Sequence, residues 1–325
     1  MLILSAQDVD TCLPMKTAIE GMRHAFAASS AGELQMPDRS SVTLNSPSSL
    51  ALFMPAHIKD SPIVSVKTVT VVPTNRVASL PIVQSVVVAF DASTGSPVAL
   101  LDGSRLTAIR TAAGGGVSVD LLSRQDSTTL AVMGSGTQAK AGIEAVCSVR
   151  NISKIQVFSP TQENAEKLVE EASRTRWCPS IEVVADPDTA VRNADIVWTA
   201  TDSAEPTFSR ESLQHGTHVV GIGSFQPSMI EIEPSLFTSA SIFVDQLDAC
   251  WAEAGEVIAA RSQGLISPND VEELGNVILG RTQGRTSSDE ITIFKSVGIA
   301  AQDAVASQLA LSAAKELGVG TQASL

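Results

Sequence analysis

Residues 129–139, TLAVMGSGTQA, decide the fold of this chain. The apolar segment 129–133 predicts a buried strand, and the residues after it open a helical pattern. Between strand and helix lies a GxGxxA turn, in which Gly134 makes the tight bend, Gly136 lets the backbone approach a pyrophosphate and Ala139 packs helix on sheet. This stretch therefore predicts a dinucleotide site, and a glycine-rich turn without a ligand is the alternative.

Strand and helix patterns alternate after this turn. Helix patterns occupy 137–149, 162–174 and 186–194, and strand patterns occupy 154–159, 181–185, 195–201, 217–223 and 241–245. Such alternation is typical of a parallel sheet with helices on both faces. We therefore predict an α/β fold with a Rossmann-type, doubly wound dinucleotide-binding domain over residues 119–299.

The first third of the chain has a different pattern. A helical segment at 15–33 is followed by alternating apolar and polar residues over 31–101, broken by Pro, Asn and Gly, with a hairpin turn at DASTGSP, 91–97. The next helix, 106–122, is rich in Ala and Gly, which predicts close approach of a neighbour or ligand. These features predict an α+β domain over 1–118, completed by residues 300–325, most of which belong to a C-terminal helical pattern over 294–318.

Composition restricts the class of partner. The 325 residues carry a net charge of −13 with a pI of about 4.7, which argues against general affinity for nucleic acid. No apolar run approaches the roughly 20 residues of a membrane span, and the N-terminus lacks a basic signal region, so we expect a cytoplasmic protein. The four dispersed cysteines suggest neither zinc nor a disulfide framework. An anionic substrate would have to be bound by local cations.

The end of the second predicted strand bears on the cofactor. In VFSPTQEN, 157–164, Ser159 and Thr161 offer hydroxyl groups where an acid would bind the ribose 2′-hydroxyl of NAD. This favours NADPH, with NADH possible. The alternative is that both residues only cap the following helix.

Three cations in the first domain are candidates for binding an anion: Arg39, Lys67 and Arg110. Lys67 lies between valines on a strand that otherwise has a core pattern, where an ammonium group is costly unless it faces a site. A solvated face of the strand or helix is the alternative for Lys67 and Arg110.

Several long stretches carry a family resemblance: residues 64–113, the turn GSGTQA at 134–139 and the segment IFKSVGIAAQD at 293–303. Together they resemble the ornithine cyclodeaminase and mu-crystallin family over nearly the whole chain. That family also contains alanine dehydrogenases and reductases of cyclic ketimines. The resemblance implies a homodimer in which the first domain binds substrate and forms the contacts between subunits.

The resemblance also implies roles for particular residues. Arg39, Lys67 and Arg110 would grip the α-carboxylate of the substrate, with Lys67 catalytic, and planar guanidinium groups suit bidentate carboxylate binding. Phe225 would contact the substrate ring. The implied cofactor-binding residues are Thr111, Gly134, Ser135, Gly136, Thr137, Gln138, Ala139, Ser159, Thr161, Ser224, Lys295, Ser296, Val297 and Gly298.

One loop departs from the cyclodeaminase pattern. Where those enzymes resemble GGDxPGKxEL, this chain has GSFQPSMIEI, 223–232, which places Phe225 at the aspartate. Cyclodeamination needs several proton transfers, whereas reduction of a preformed cyclic imine mainly needs positioning and exclusion of water. Asp102, Asp202, Glu231, Asp245 and Asp303 are possible substitute acids, although we expect a helix-end or interface role for Asp303. His57 and His218 are weaker candidates as proton donors.

These observations predict an NAD(P)H-dependent reductase of Δ1-pyrroline-2-carboxylate and Δ1-piperideine-2-carboxylate, giving L-proline or L-pipecolate. An alanine dehydrogenase, an ornithine cyclodeaminase and a non-catalytic NADPH-binding protein are the alternatives.

Overall fold

A computed structural model describes residues 1–46, 49–78, 80–175 and 178–324. Within these residues the helices are α1 (Ala6–Cys12), α2 (Met15–Ala31), α3 (Gly103–Leu122), α4 (Thr137–Val149), α5 (Gln162–Ser173), α6 (Pro187–Val191), α7 (Leu247–Glu253), α8 (Gly255–Ser262), α9 (Leu274–Ile278) and α10 (Ala300–Leu317). The strands are β1 (Leu2–Leu4), β2 (Leu34–Gln35), β3 (Ser40–Thr43), β4 (Leu50–Ile58), β5 (Ile63–Val71), β6 (Val83–Asp91), β7 (Pro97–Asp102), β8 (Thr129–Met133), β9 (Lys154–Phe158), β10 (Ser180–Val183), β11 (Ile196–Thr199), β12 (His218–Gly221), β13 (Ala240–Val244), β14 (Val271–Glu273), β15 (Ile291–Lys295) and β16 (Thr321–Gln322).

The chain divides into two compact units. Unit 1 comprises Met1–Arg110 and Ile299–Leu325, and unit 2 comprises Thr111–Gly298. The predicted boundaries lie after 118 and 299, whereas the first division falls after Arg110, inside α3. Because that helix continues through the division, no turn residue in the sequence marks it.

Unit 1 is a mixed sheet with helices. Its strand order is β16-β1-β7-β6-β5-β4-β2, with β3 also paired to β4, and the β1–β7 pair is parallel while the others are antiparallel. Helix α10 packs across β4 and β5, and Met54, Val69, Ala300 and Ala304 form the apolar contact between them. Burial alternates along β5, so Lys67 lies on the buried face, beneath α10.

Unit 2 is a parallel sheet in the order β10-β9-β8-β11-β12-β15-β13-β14. The strand order reverses between β8 and β11, which is the point at which doubly wound sheets bind nucleotides. The predicted Rossmann-type fold is confirmed. Among the described residues no helix combines the length and apolarity that crossing a membrane requires.

The segment between β13 and β15 contains elements that no sequence pattern indicated: α7, α8, α9 and β14. These elements have only three to eight residues each, too short to show a periodic pattern. The final helix also begins later than the 294 suggested by the helical pattern, because β15 includes Lys295 and Gly298 takes a left-handed φ of 77°.

Candidate active site

The turn after β8 has the geometry of a dinucleotide site. Gly134 has a φ of 110°, and a Cβ there would lie 2.5 Å from the carbonyl oxygen of Ala200, so only glycine is accommodated. Gly136 is the N-cap of α4, and a Cβ at this position would meet no protein atom within 4 Å. No side chain caps the N-terminus of α4, so its N–H groups and helix dipole can receive a phosphate. The residues present therefore fit the pyrophosphate of a dinucleotide.

Two hydroxyl residues follow β9. Ser159 is half-buried and its Oγ accepts a hydrogen bond of 3.0 Å from Ser135 of the glycine-rich turn. Thr161 is the N-cap of α5, but its side chain makes no capping hydrogen bond. The alternative that Thr161 serves as a side-chain cap is therefore not supported.

The glycine-rich part of α3 has a structural partner. A Cβ at Gly115 would lie 2.4 Å from the ring of Trp198, and a Cβ at Gly142 of α4 would lie 2.2 Å from the same ring. Trp198, on β11, is fully buried. The close neighbour predicted from these glycines is thus an indole ring. Thr111 lies in the same helix and is almost fully buried.

Unit 1 contains a buried group of charges that we call the cation cluster: Lys67, Arg110 and Asp303. The Nζ of Lys67 lies 2.7 Å from Oδ2 of Asp303, and the Nε of Arg110 donates to Oδ1 of the same carboxylate at 2.9 Å. Lys67 is 2% exposed, Arg110 4% and Asp303 0%. Two cations therefore share a single carboxylate in a site screened from water.

The third predicted cation, Arg39, influences the electrostatics of this cluster. The pKa of Lys67 falls from 10.5 to about 7, chiefly because the side chain is buried and also because of the positive charges of Arg110 and Arg39, while Asp303 acts in the opposite direction. Because Arg39 affects this pKa, it lies within electrostatic range of Lys67. The structure thus gathers Arg39, Lys67 and Arg110 in one region of unit 1.

Asp303 lies in the first turn of α10, as expected for a residue at a helix end, and its carboxylate also binds two buried cations. The interface role stays a prediction. Gln302 is a further residue that the sequence analysis missed, since its Oε1 accepts from Nη1 of Arg110 at 2.9 Å. An isolated acid among the alanines of AAQDAVA was the available signal, because buried cations need a counterion.

Unit 2 contains a second buried group, the acid cluster: Glu231, Glu256 and Lys295, all 0% exposed. Glu231 accepts from the N–H of Thr201 at 2.6 Å and from its hydroxyl at 2.8 Å, and from the N–H groups of Gly223 and Ser224 at 2.6 and 3.0 Å. Burial raises the pKa of Glu231. This carboxylate ties the 223–226 loop to the end of β11.

Glu256 forms the other half of the acid cluster. It accepts a hydrogen bond from the hydroxyl of Ser224 and lies 3.2 Å from Nζ of Lys295. Both Ser224 and Lys295 are fully buried and bonded to protein groups. Their roles in cofactor binding stay predictions.

Asp245 shapes the turn after β15. Its Oδ2 accepts from the hydroxyl of Ser296 at 2.7 Å and from the N–H of Gly298 at 2.8 Å. Val297, between them, is 8% exposed. Asp245 is thereby committed to backbone geometry, and the cofactor contacts of Ser296, Val297 and Gly298 stay predictions.

The remaining candidates for proton transfer also have structural partners. Asp102 accepts from the N–H of Arg105 at the start of α3, and Nδ1 of His57 donates to the carbonyl of Ile63. Burial lowers the pKa of His218 to about 3, so its ring is neutral near pH 7. Phe225 is half-buried and packs against the core of unit 2. Asp202 is exposed.

The parallel sheet and its dinucleotide turn, joined in one chain to a unit with a buried cation excess, define a nicotinamide-nucleotide-dependent oxidoreductase. Residues 1–316 match the ornithine cyclodeaminase/mu-crystallin family, and the chain belongs to that family.

Individual relatives are similar over their whole length. The chain is 37% identical to a Δ1-pyrroline-2-carboxylate reductase of Bacillus cereus over 99% of both proteins. It superimposes with a TM-score of 0.95 and 34% identity on the Thermococcus litoralis Δ1-pyrroline-2-carboxylate reductase in complex with NADH and L-proline, covering 99% of this chain and 100% of that one. An archaeal alanine dehydrogenase dimer with bound NAD matches with a TM-score of 0.92 and 30% identity, over 100% and 99%.

Proposed function

We propose that this protein reduces small cyclic ketimine carboxylates, Δ1-pyrroline-2-carboxylate and Δ1-piperideine-2-carboxylate, to L-proline or L-pipecolate. The observation that carries this proposal is the half-buried Phe225 at the loop position where a cyclodeaminase has its aspartate. The nearby Glu231 does not replace that acid, because it is fully buried and occupied by N–H and O–H donors. The reductase activity of the Bacillus cereus and Thermococcus litoralis relatives supports the same assignment.

The cation cluster would bind the substrate carboxylate. Lys67 and Arg110 share Asp303, so the cluster has one cation more than it has carboxylates. A carboxylate that neutralises this excess gains charge-assisted hydrogen bonds in a water-poor site. The bound carboxylate would fix the adjacent imine carbon in one orientation.

Lys67 is the proposed catalytic residue. With a pKa of about 7 its Nζ can hold or release a proton near neutral pH, so it can supply a proton to an imine nitrogen that arrives unprotonated. The reduced nicotinamide nucleotide supplies the hydride in this reaction. The glycine-rich turn 134–139 would hold its pyrophosphate.

The test is a coupled absorbance assay of nicotinamide oxidation with Δ1-pyrroline-2-carboxylate, Δ1-piperideine-2-carboxylate, and pyruvate plus ammonia. Rapid oxidation with a cyclic ketimine is expected. Turnover of pyruvate and ammonia without turnover of either ketimine would replace the proposal with an alanine dehydrogenase. Release of ammonia and proline from ornithine would replace it with a cyclodeaminase.

We propose NADPH as the preferred form of the cofactor. Ser159 and Thr161 provide hydroxyl groups after β9, and neither carries a negative charge to repel a 2′-phosphate. Introducing that charge with Ser159→Asp should weaken NADPH binding by about tenfold and leave NADH binding nearly unchanged. Fluorescence titration of both nucleotides measures this, and Ser153→Asp, on the exposed side before β9, is the control. Equal losses for both nucleotides would contradict the preference.

We propose a homodimer formed through unit 1. Large apolar side chains are exposed on β3, β4, β6 and the segment before β6, including Val42 (53%), Phe53 (38%), Leu80 (54%) and Val86 (45%). Exposed apolar surface of this kind marks contact with another protein, and the archaeal alanine dehydrogenase relative is a dimer. Sedimentation of wild type and Val86→Lys would test this, with a dimer expected for the wild type and a shift toward monomer for the variant.

A further inference from the structure

Helix α10 brings a carboxylate and an amide to the two cations of unit 1. Asp303 contacts Lys67 through Oδ2 at 2.7 Å and Arg110 through Oδ1 at 2.9 Å. The preceding residue, Gln302, is also fully buried, and its Oε1 accepts both from Arg110 at 2.9 Å and from the N–H of Ile299 at 3.0 Å. Residues from β5, α3 and α10 are thus joined by hydrogen-bonded charges rather than by apolar packing alone.

The Asp303 carboxylate fixes the orientation of the two cations as well as balancing part of their charge. One carboxylate that uses a different oxygen for each cation sets the ammonium of Lys67 and the guanidinium of Arg110 at one separation and angle. Gln302 holds a second nitrogen of the same guanidinium, so Arg110 cannot rotate freely. Such pre-organisation is what a carboxylate-binding pair needs, because less side-chain entropy is lost when the ligand binds.

We propose that Asp303 is a positioning residue of the substrate-carboxylate site, which holds Lys67 and Arg110 in one arrangement. Gln302 is its partner and positions Arg110 alone. This inference rests on the proposed function and deepens it, since it assigns the group that orients the two cations of the carboxylate site.

The charges that face Lys67 have opposing effects. Burial and the charges of Arg110 and Arg39 favour the neutral amine, and Asp303 opposes them. The strand neighbours Met54 of β4 and Val87 of β6 carry no charge. Removing the negative charge of Asp303 therefore leaves only influences that favour the neutral amine.

The experiment compares the pH dependence of KM for Δ1-pyrroline-2-carboxylate in wild type and Asp303→Asn, from about pH 5 to about pH 9. The variant is expected to lose carboxylate affinity at a pH at least about one unit lower than wild type, with NADPH affinity unchanged. A merely structural role would change thermal stability and both ligand affinities together, without moving the midpoint. An unchanged midpoint would overturn the proposal.

A second variant, for which the midpoint should shift in the opposite direction, keeps the test decisive even if Asp303→Asn does not fold. Gln302→Glu preserves an oxygen for Arg110 and Ile299 and adds a second negative charge, so it should raise the midpoint and weaken carboxylate binding at every pH. Asp303→Glu restores the charge and should return the midpoint toward wild type. Failure of Gln302→Glu to raise the midpoint would contradict the proposal independently.

The matched control is Asp10→Asn, which removes an exposed aspartate that pairs with Arg105 in the same unit. Neither its midpoint nor its KM should change. Binding of L-proline, measured by calorimetry over the same pH range, gives the midpoint without turnover. If the wild type reduces neither ketimine but its L-proline binding still follows these shifts, the proposed function fails and the positioning role of Asp303 stands.

Discussion

Each unit of the molecule buries a group of ionised side chains, and the two groups are compensated in different ways. The cation cluster of unit 1 has two cations and one carboxylate, whereas the acid cluster of unit 2 has two carboxylates and one cation. In unit 2 the excess of acid meets protein donors, since Glu231 accepts from backbone N–H groups and Glu256 from the hydroxyl of Ser224.

The two clusters differ in whether protein groups compensate their charges. A buried charge costs free energy unless it is paired and hydrogen-bonded. The acid cluster satisfies that requirement within the protein, which holds the 223–226 loop. The cation cluster has one cation more than it has carboxylates, and we therefore propose that a ligand carboxylate binds there. What compensates a buried cluster thus indicates its role better than the sign of its charge does.

The largest expected effect is on the cation cluster. Lys67→Met should lower kcat/KM for the ketimine by about 100- to 1000-fold, because the substrate carboxylate would lose a charge-assisted contact and the positive excess of the cluster would disappear. NADPH affinity should stay within about twofold. Steady-state kinetics and nucleotide titration measure both, with the exposed Lys59→Met as the control. Comparable losses in turnover and in NADPH binding would show that the cation cluster has no specific role in substrate binding.

Glu231→Ala should affect stability rather than substrate binding. It leaves the buried N–H groups of Gly223 and Ser224 and the hydroxyl of Thr201 without their acceptor, at a cost of about 3 kcal/mol in the free energy of unfolding. Calorimetry should show a lower Tm. Glu231→Gln should recover part of the lost Tm, because its side-chain oxygen can still accept hydrogen bonds from these groups. A variant with unchanged Tm would show that the 223–226 loop does not depend on Glu231.

The pH dependence of the cation cluster gives a third prediction. Since the pKa of Lys67 is about 7, KM for the imino acid should rise above pH 7, by at most about tenfold per pH unit. The unfolded chain keeps this proton up to a pKa near 10.5, so between the two values the unfolded state binds more protons. This group therefore makes the free energy of unfolding rise with pH in that window.

The measurement for this third prediction is a pair of pH series, one of KM and one of denaturant unfolding. Lys67→Met should lack both trends. A KM that stays constant to pH 9 would show that Lys67 is not the titrating group.

The smallest effect is expected at an exposed ion pair. Lys140 and Glu171 are 2.6 Å apart but about half exposed, so Lys140→Ala should change the free energy of unfolding by at most about 0.5 kcal/mol and leave KM unchanged. Denaturant titration measures it. A loss comparable with that of Glu231→Ala would mean that burial does not set the strength of ion pairs in this protein.

The sequence predicted what depends on local pattern. The turn 134–139 follows its strand directly, and Lys67 stands out because it interrupts an apolar strand. The pairing of Asp303 with Arg110 could not be predicted because the two residues are 193 positions apart, so no local pattern joins them. Ser224 and Lys295 lie in segments that the resemblance placed near the cofactor, but only the folded chain shows that Glu256 contacts both.

The indole of Trp198 links three positions that are distant in sequence. The ring fits between α3 and α4 only because residues 115 and 142 have no side chain. Trp198 is also two residues before Ala200, whose carbonyl oxygen lies too close to Gly134 for a side chain there. A larger residue at 115 or 142 could be accepted only together with a smaller one at 198. We expect residues 115, 142 and 198 to change together among related proteins, so that their combined side-chain volume beneath the nucleotide turn stays the same.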